Sequence, residues 1–435
     1  MTNSLPPAPP SAIFVTDSSG LVIGANQALE QITGRQPEQI LGGPWGALLD
    51  PSAPLGLRRL INARLDRLSY SGAYLRLAGP AEPSAWHLLV EVASNETRLG
   101  VAQAALAEPA TRELASIYAQ AASAEAAAAA TGAALDDAAK KGADGIVQGL
   151  AGLGFATYDE FLRSAVTAEA AAGPELPAEP SDPALTSVWA SAVNVDRHLE
   201  RQQAAYAKLM EVSALLVGAA GDLVGQLEPM DEAAGQIMGA ARTLSASATP
   251  LTAAHRVQTS VDQTGIRLRA LALGVKRSQE LIATQRLLLG IGRRVGRAVL
   301  ETLSQSGELG PRDLGLVVPL VGALHAIAPP LAMGAARVSA NLARLAREST
   351  EAAGRVRMLD TTLTSWELLA KRFNLPESLI PGDLDAKGAA LKLDGMRDLA
   401  RAATAQTGTD AGAFSQAAAG VARALRYAPG FSFAL

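Results

Sequence analysis

Hydrophobic and polar positions change period as this chain proceeds. Residues 12–16 (AIFVT) are apolar and partly β-branched, which predicts a strand. DSSG at 17–20 is turn chemistry: Asp and Ser bond nearby backbone and Gly accepts positive φ. Residues 21–24 then return as the second strand of a hairpin. Asn26 is placed to cap a helix by accepting an orphan N–H. Ala28, Leu29 and Ile32 follow on one face, and Gly34 suits the stop. Pro37 and Glu38 fit the first turn of a second short helix that ends at Leu41-Gly42. After a Gly/Pro-rich loop, Leu57, Leu60, Ile61, Leu65 and Leu68 recur at helical spacing. Strands are predicted over 73–77, 85–92 and 97–103. Trp86, Leu88, Val90 and Val92 alternate with His87, Leu89 and Glu91, so the Trp86 face is expected to pack inward.

Beyond residue 104 the pattern is helical. Residues 105–172 read as helices, including the Ala run at 126–130. The segment 173–183 (GPELPAEPSDP) is a linker, because Pro174, Pro177, Pro180 and Pro183 forbid a continuous helix. Residues 184–372 predict a bundle or coiled coil of long helices, over 185–227, 257–303 and 337–369. Leu209, Val212, Leu216 and Leu223 keep helical spacing in the first. Leu271, Ile282, Leu289 and Leu300, spaced 11, 7 and 11, hold one stripe of the second. Residues 1–11 form a Pro-rich, disordered tail, and 373–435 are expected to be helical in part and partly mobile. The fold class is α+β: a sheet domain over 12–104, then a mostly α-helical remainder.

Composition agrees. Of 435 residues 49% are apolar but only 4% aromatic, and such Ala- and Leu-rich chains favour long, closely packed helices. The formal charge of −4 gives no whole-chain case for nucleic acid. There is no Cys, which excludes disulfides and thiolate metal sites, and His87, His198, His255 and His325 show no metal-ligand spacing. The N-terminus lacks the basic and apolar regions of a signal peptide, so a cytoplasmic protein is expected.

Three segments invite function and have plainer readings. Residues 314–336 carry no formal charge and are long enough to span a membrane, but Pro319, Pro329, Pro330 and His325 interrupt them. A kinked, buried bundle helix is the preferred reading, with membrane association as the alternative. The stretch 267–297 holds eight Lys/Arg and one acid, Glu280. It reads as a helix face whose acidic partners lie on neighbouring helices, ahead of an anionic-partner site. GIGRRVG at 290–296 has its third Gly one position late for a dinucleotide fingerprint, so Gly290, Gly292, Gly265 and Gly274 are assigned to close helix packing. Asp136-Asp137 and Asp159-Glu160 are assigned to helix starts or the surface. No nucleophile constellation, phosphate loop or paired general acid and base emerges, and no catalytic residue is expected.

The set Thr16-Asp17, Gly20, Asn26, Ala28, Thr33-Gly34, Glu38 and Leu41-Gly42 resembles a PAS sensor domain, closest to the aerotaxis-receptor type. Pro51 and Pro54 keep the register of that type's proline-containing segment, and Trp86 matches its late-strand Trp. Residues 111–120 and 149–169 are similar to the helical linker of soluble relatives. The resemblance implies a five-stranded antiparallel sheet with helices and a domain that passes a signal onward. It implies a pocket, for which Asn26, Trp45, Trp86 and Leu88 are the candidates. The segment's basic and Asp positions are replaced here, so no cofactor is expected, with FAD as the alternative. His87, on the face opposite Trp86, is read as a surface or structural residue rather than a haem ligand. A homodimer or higher oligomer coupled to a signalling partner is the leading functional expectation. A non-sensing scaffold is the alternative.

Overall fold

The computed structural model describes residues 11–79, 85–94, 96–104, 108–170, 176–243, 248–305, 311–374 and 386–427. The expected tail before Ser11, and parts of the expected linker and C-terminal region, lie outside these residues. The N-terminal domain runs β1 (Ala12–Asp17), β2 (Val22–Ala25), α1 (Gln27–Thr33), α2 (Pro37–Ile40), a 3-10 turn at Trp45–Leu48, α3 (Leu55–Leu68), β3 (Tyr70–Arg76), β4 (Trp86–Ala93) and β5 (Thr97–Ala104). The strands form one antiparallel sheet in the order β2-β1-β5-β4-β3.

Local chemistry starts and stops these elements as anticipated. Asn26 caps α1 by accepting from Leu29 N–H at 3.1 Å, and Gly34 closes it in the left-handed region at φ 64°. In the β1–β2 turn, Asp17 Oδ1 accepts from the N–H groups of Ser19 and Leu21, both at 2.9 Å. Gly20 takes φ 85° there, a conformation costly for any residue with a Cβ.

The ladder registers sort the side chains onto two faces. Ser71 of β3, Glu91 of β4, Gly100 of β5 and Phe14 of β1 sit opposite one another in a row across the sheet. The alternate row holds Gly72, Val90, Val101 and Ile13. The first face meets the domain's own helices: Arg98, one register step along, donates to Asn62 of α3 at 3.1 Å. The second face is covered by later helices. Leu162 of α6 (Tyr158–Ala170) stands against Gly72, and Leu316 of α9 (Pro311–Arg372) against Gly24.

This double cover corrects the expected alternation in β4. Leu88, Val90 and Val92 are buried, but so are His87, Leu89 and Glu91, because both faces of the sheet are packed. His87 is therefore interior, with Nδ1 2.9 Å from the carbonyl of Ala85.

α4 (Glu108–Ala130) and α5 (Leu135–Gly152) pack together as a hairpin, and α5 lies on α3. Then come α7 (Pro183–Thr243), α8 (Ala248–Gln305), α9 and α10 (Ala386–Tyr427), of 61, 58, 62 and 42 residues. Residues 314–336 lie within α9 as a bundle helix, with Pro319, Pro329 and Pro330 inside it, and the expected partly helical C-terminal region is helical over α10. The chain divides into two compact units. One comprises Met1–Gln203, Arg286–Ala332 and Gly412–Leu435, and the other Ala204–Gln285 and Met333–Ala411.

In the first unit Leu289 and Leu300 of α8 are buried; in the second, Leu271 and Ile282 are. The basic stretch finds partners on neighbouring helices. Arg293 and Arg297 each place Nε 3.6 Å from Asp196 of α7, Arg293 also meets Glu200 at 3.2 Å, and in the second unit Arg267 meets Glu351 at 3.0 Å. Gly290 admits Val166, and Gly274 packs near Leu345 and Glu348. Gly265 has nothing within 4 Å of where a Cβ would stand, so close packing does not account for it. The segment Arg312–Arg372 is long and apolar enough to cross a membrane, and half of its most apolar window is buried within the protein.

Candidate functional site

Two places in the first unit gather chemistry-bearing side chains: the helix-facing side of the sheet, and its junction with α4 and α6.

On the helix-facing side, the middle of the sheet is occupied by rings. Phe14 lies over Gly100 so closely that a Cβ at residue 100 would fall inside the ring's contact distance. Trp45, from the 3-10 turn, stacks on Phe14 at 6.2 Å with an interplanar angle of 11°. Beside them is Glu91, 1% exposed, with Oε2 lacking a hydrogen-bond partner. Its cross-strand neighbour Ser71, fully buried, also has an unpartnered hydroxyl. Burial pushes the Glu91 carboxyl up to about 8, against the pull of the nearby Arg98 guanidinium. At neutral pH Glu91 is thus largely a neutral acid, able to donate one hydrogen bond and accept others. Burial also lowers the pKa of His87, on the same strand and face.

At the junction, two tyrosines clamp the edge strand. Tyr118 of α4 donates to the carbonyl of Tyr74 at 2.9 Å, and Tyr158 of α6 donates to that of Gly72 at 2.6 Å. Burial raises the pKa of both phenols, so they remain donors. Phe161 packs 6.1 Å from Tyr74, and Trp86 lies 5.9 Å from Tyr118. Asp159 of α6 pairs with Arg64 and, at 2.7 Å, with Arg67 of α3. Asp136 pairs with Arg59, so both expected helix-start acids also tie the linker helices to α3.

The four pocket candidates are not brought together. Asn26 is committed to backbone: it accepts from Ile13 N–H at 2.9 Å, donates to the Ser11 carbonyl at 2.7 Å and caps α1. Trp45 is on the helix-facing side. Trp86 and Leu88 share the opposite face with Tyr74, toward α4 and α6. Sequence reasoning passed over Glu91 and Arg76. The signal for Glu91 was a lone carboxylate inside the apolar run LLVEV. For a flavin the fit is poor: Phe14 and Trp45 fill the space above Gly100 that a planar ring would need.

No family model matches the chain, and no curated protein matches it. Among solved structures it is similar to the PAS domain of a protein from Colwellia psychrerythraea, at 22% identity. That likeness covers 22% of this chain and 85% of the other, with a TM-score of 0.20. The strand order and the helices between β2 and β3 make the N-terminal domain PAS-like in fold, and the chain as a whole is α+β.

Proposed function

We propose that the chain is a non-catalytic signalling protein, in which the PAS-like domain senses a ligand or partner and the helices that follow carry the response. The observation that carries this reading is the tyrosine clamp. Tyr118 and Tyr158 tie α4 and α6 directly to alternate carbonyls of edge strand β3, so a shift in sheet packing moves both helices. The same domain is fastened to α8 and α9: Ser11 N–H, just before β1, donates to Glu301 at 3.0 Å, and Arg312 pairs with Glu30 of α1. The finer reading is a cytoplasmic, aerotaxis-receptor-like or chemotaxis-like oligomer that transmits to a protein partner.

A second reading, a scaffold that uses an unliganded PAS-like domain for assembly, is favoured by the Phe14–Trp45 stack that fills the sheet. The experiment is an absorption spectrum of the full chain with its mass by light scattering, followed by hydrogen exchange of α4–α6. A flavin or haem spectrum favours a redox sensor, while a colourless oligomer with ligand-insensitive exchange in α4–α6 removes the sensing reading and leaves the scaffold.

A further inference from the structure

A cavity of about 200 Å³ lies where the PAS-like domain meets α4. Asp50, Ser52 and Ala53 line it from the loop before α3, Arg76 and Trp86 from the ends of β3 and β4, and Tyr118 from α4. Three properties suit it to a small ligand. First, its strongest positive group is held by a ring and by no carboxylate among the described residues. The Arg76 guanidinium lies 4.9 Å over the Trp86 indole, and its Nε is buried without an acceptor. An aromatic face orients a guanidinium but leaves its N–H fork free for a planar, two-oxygen anion. Second, the remaining wall is apolar: Leu75, Ala115, Ala119 and the rings of Trp86 and Tyr118. Third, the volume of about 200 Å³ lies below the roughly 300–1,000 Å³ of pockets for drug-sized ligands. It admits a molecule, not a peptide or a lipid chain.

We propose that this junction cavity binds a small organic carboxylate, with Arg76 gripping the carboxylate and a short apolar or flat body lying against Trp86, Ala115 and Ala119. Asp50 on the wall disfavours a multiply charged phosphate, and its Oδ1 is already held by Ser52 through N–H at 2.8 Å and Oγ at 2.7 Å. The ligand touches the sheet through Arg76 and the linker helix through Ala115 and Ala119 at once. It therefore bears on the element through which the proposed signal leaves; that consequence rests on the signalling reading, whereas binding itself does not.

The test is calorimetric titration of the full chain with benzoate and with butyrate, using benzamide and inorganic phosphate as controls. At least one carboxylate is expected to bind at millimolar concentration or below, with benzamide and phosphate weaker by about tenfold or more. Arg76→Gln is expected to lose about tenfold or more in affinity. Ala115→Leu, which fills the cavity from α4 and keeps Arg76, is expected to abolish binding with the helical circular dichroism unchanged. No binding of either carboxylate up to about 10 mM, equal binding of benzamide or phosphate, or unchanged affinity in Ala115→Leu would overturn the assignment. Hydrogen exchange of α4 in saturating ligand separates the two ideas: binding without a change in α4 keeps the site and removes the relay.

Discussion

The carboxylate of Glu125, in α4, holds the start of α3: it accepts from Gly56 N–H at 2.7 Å and from Leu55 N–H at 2.8 Å. A helix begins with orphan N–H groups, and α3 follows Pro54, which offers no side-chain cap. The capping residue is thus borrowed from about 70 positions away. Glu125→Ala leaves two donors unsatisfied, one of them buried. It is expected to cost about 1–3 kcal/mol, read as a lower thermal midpoint together with faster amide exchange in the first turn of α3.

Gly142 and Gly56 make that approach possible. A Cβ at Gly142 would run into the Glu125 carboxylate, and one at Gly56 into the backbone of Ala143. A side chain can swing aside but a helix backbone cannot, so Gly56→Ala is expected to destabilise more than Gly142→Ala, by about 2 kcal/mol or more in total. Gly218→Ala, in α7 with nothing within 4 Å, is the control. There the loss of unfolded-state freedom should raise stability by about 0.5–1 kcal/mol. Chemical denaturation of the three variants gives the order directly.

Glu91 makes stability depend on pH. Its folded pKa of about 8 lies above the ordinary value of 4.5, so the folded chain holds a proton that the unfolded chain has released. The stabilising contribution is complete below about pH 4.5 and is lost as pH rises through about 8. His87 acts in the opposite sense, its lowered folded pKa costing stability as pH falls through about 6.5. The window from pH 6.5 to 8.5 therefore lies above the His87 range and takes in the loss of the Glu91 contribution. The thermal midpoint should fall across it in the native protein. In Glu91→Gln it should be flatter and, at the alkaline end, higher; an identical slope in both would refute the assignment.

Asp196 separates a buried ion cluster from an exposed pair. Its side chain is 3% exposed and faces both Arg293 and Arg297. Asp196→Ala removes the buried carboxylate that two largely buried guanidinium groups face, Arg293 keeping Glu200, and is expected to cost about 3–5 kcal/mol. Glu351→Ala, which frees Arg267 at a site where both partners are about half exposed, should cost less than about 1 kcal/mol. Urea unfolding of the two variants side by side measures the contrast.

Phe14→Ala removes the ring over Gly100. A Phe-sized cavity in the sheet is expected to cost about 3–5 kcal/mol. It should also quench or shift the emission of Trp45, which loses its stacking partner. Gain of affinity for a flat apolar dye in this variant alone would show that Phe14 is what closes the helix-facing side.

Much of this was legible in the chain. The Asn26 cap, the Gly34 stop, the turn at Asp17–Gly20 and the five strands are set by neighbours within a few positions, where propensity and hydrogen-bond geometry act locally. The α8 stripe was equally readable, because one helical period runs through it. What the chain could not reveal depends on what lies on top of each element. The Trp86/His87 alternation in β4 promised one wet face. Only the packing of the domain's own helices on one face and of α4, α6 and α9 on the other decided that both faces are dry, and with that decided that Glu91 is buried and why its proton stays. Likewise, Arg76 and Trp86 stand ten positions apart in sequence, and Tyr118 lies far beyond them. Strand pairing and the path of α4 alone bring guanidinium, indole and phenol to one cavity. Local sequence determined the elements; long-range packing, which desolvates some charges and leaves others unpaired, decided where chemistry is possible.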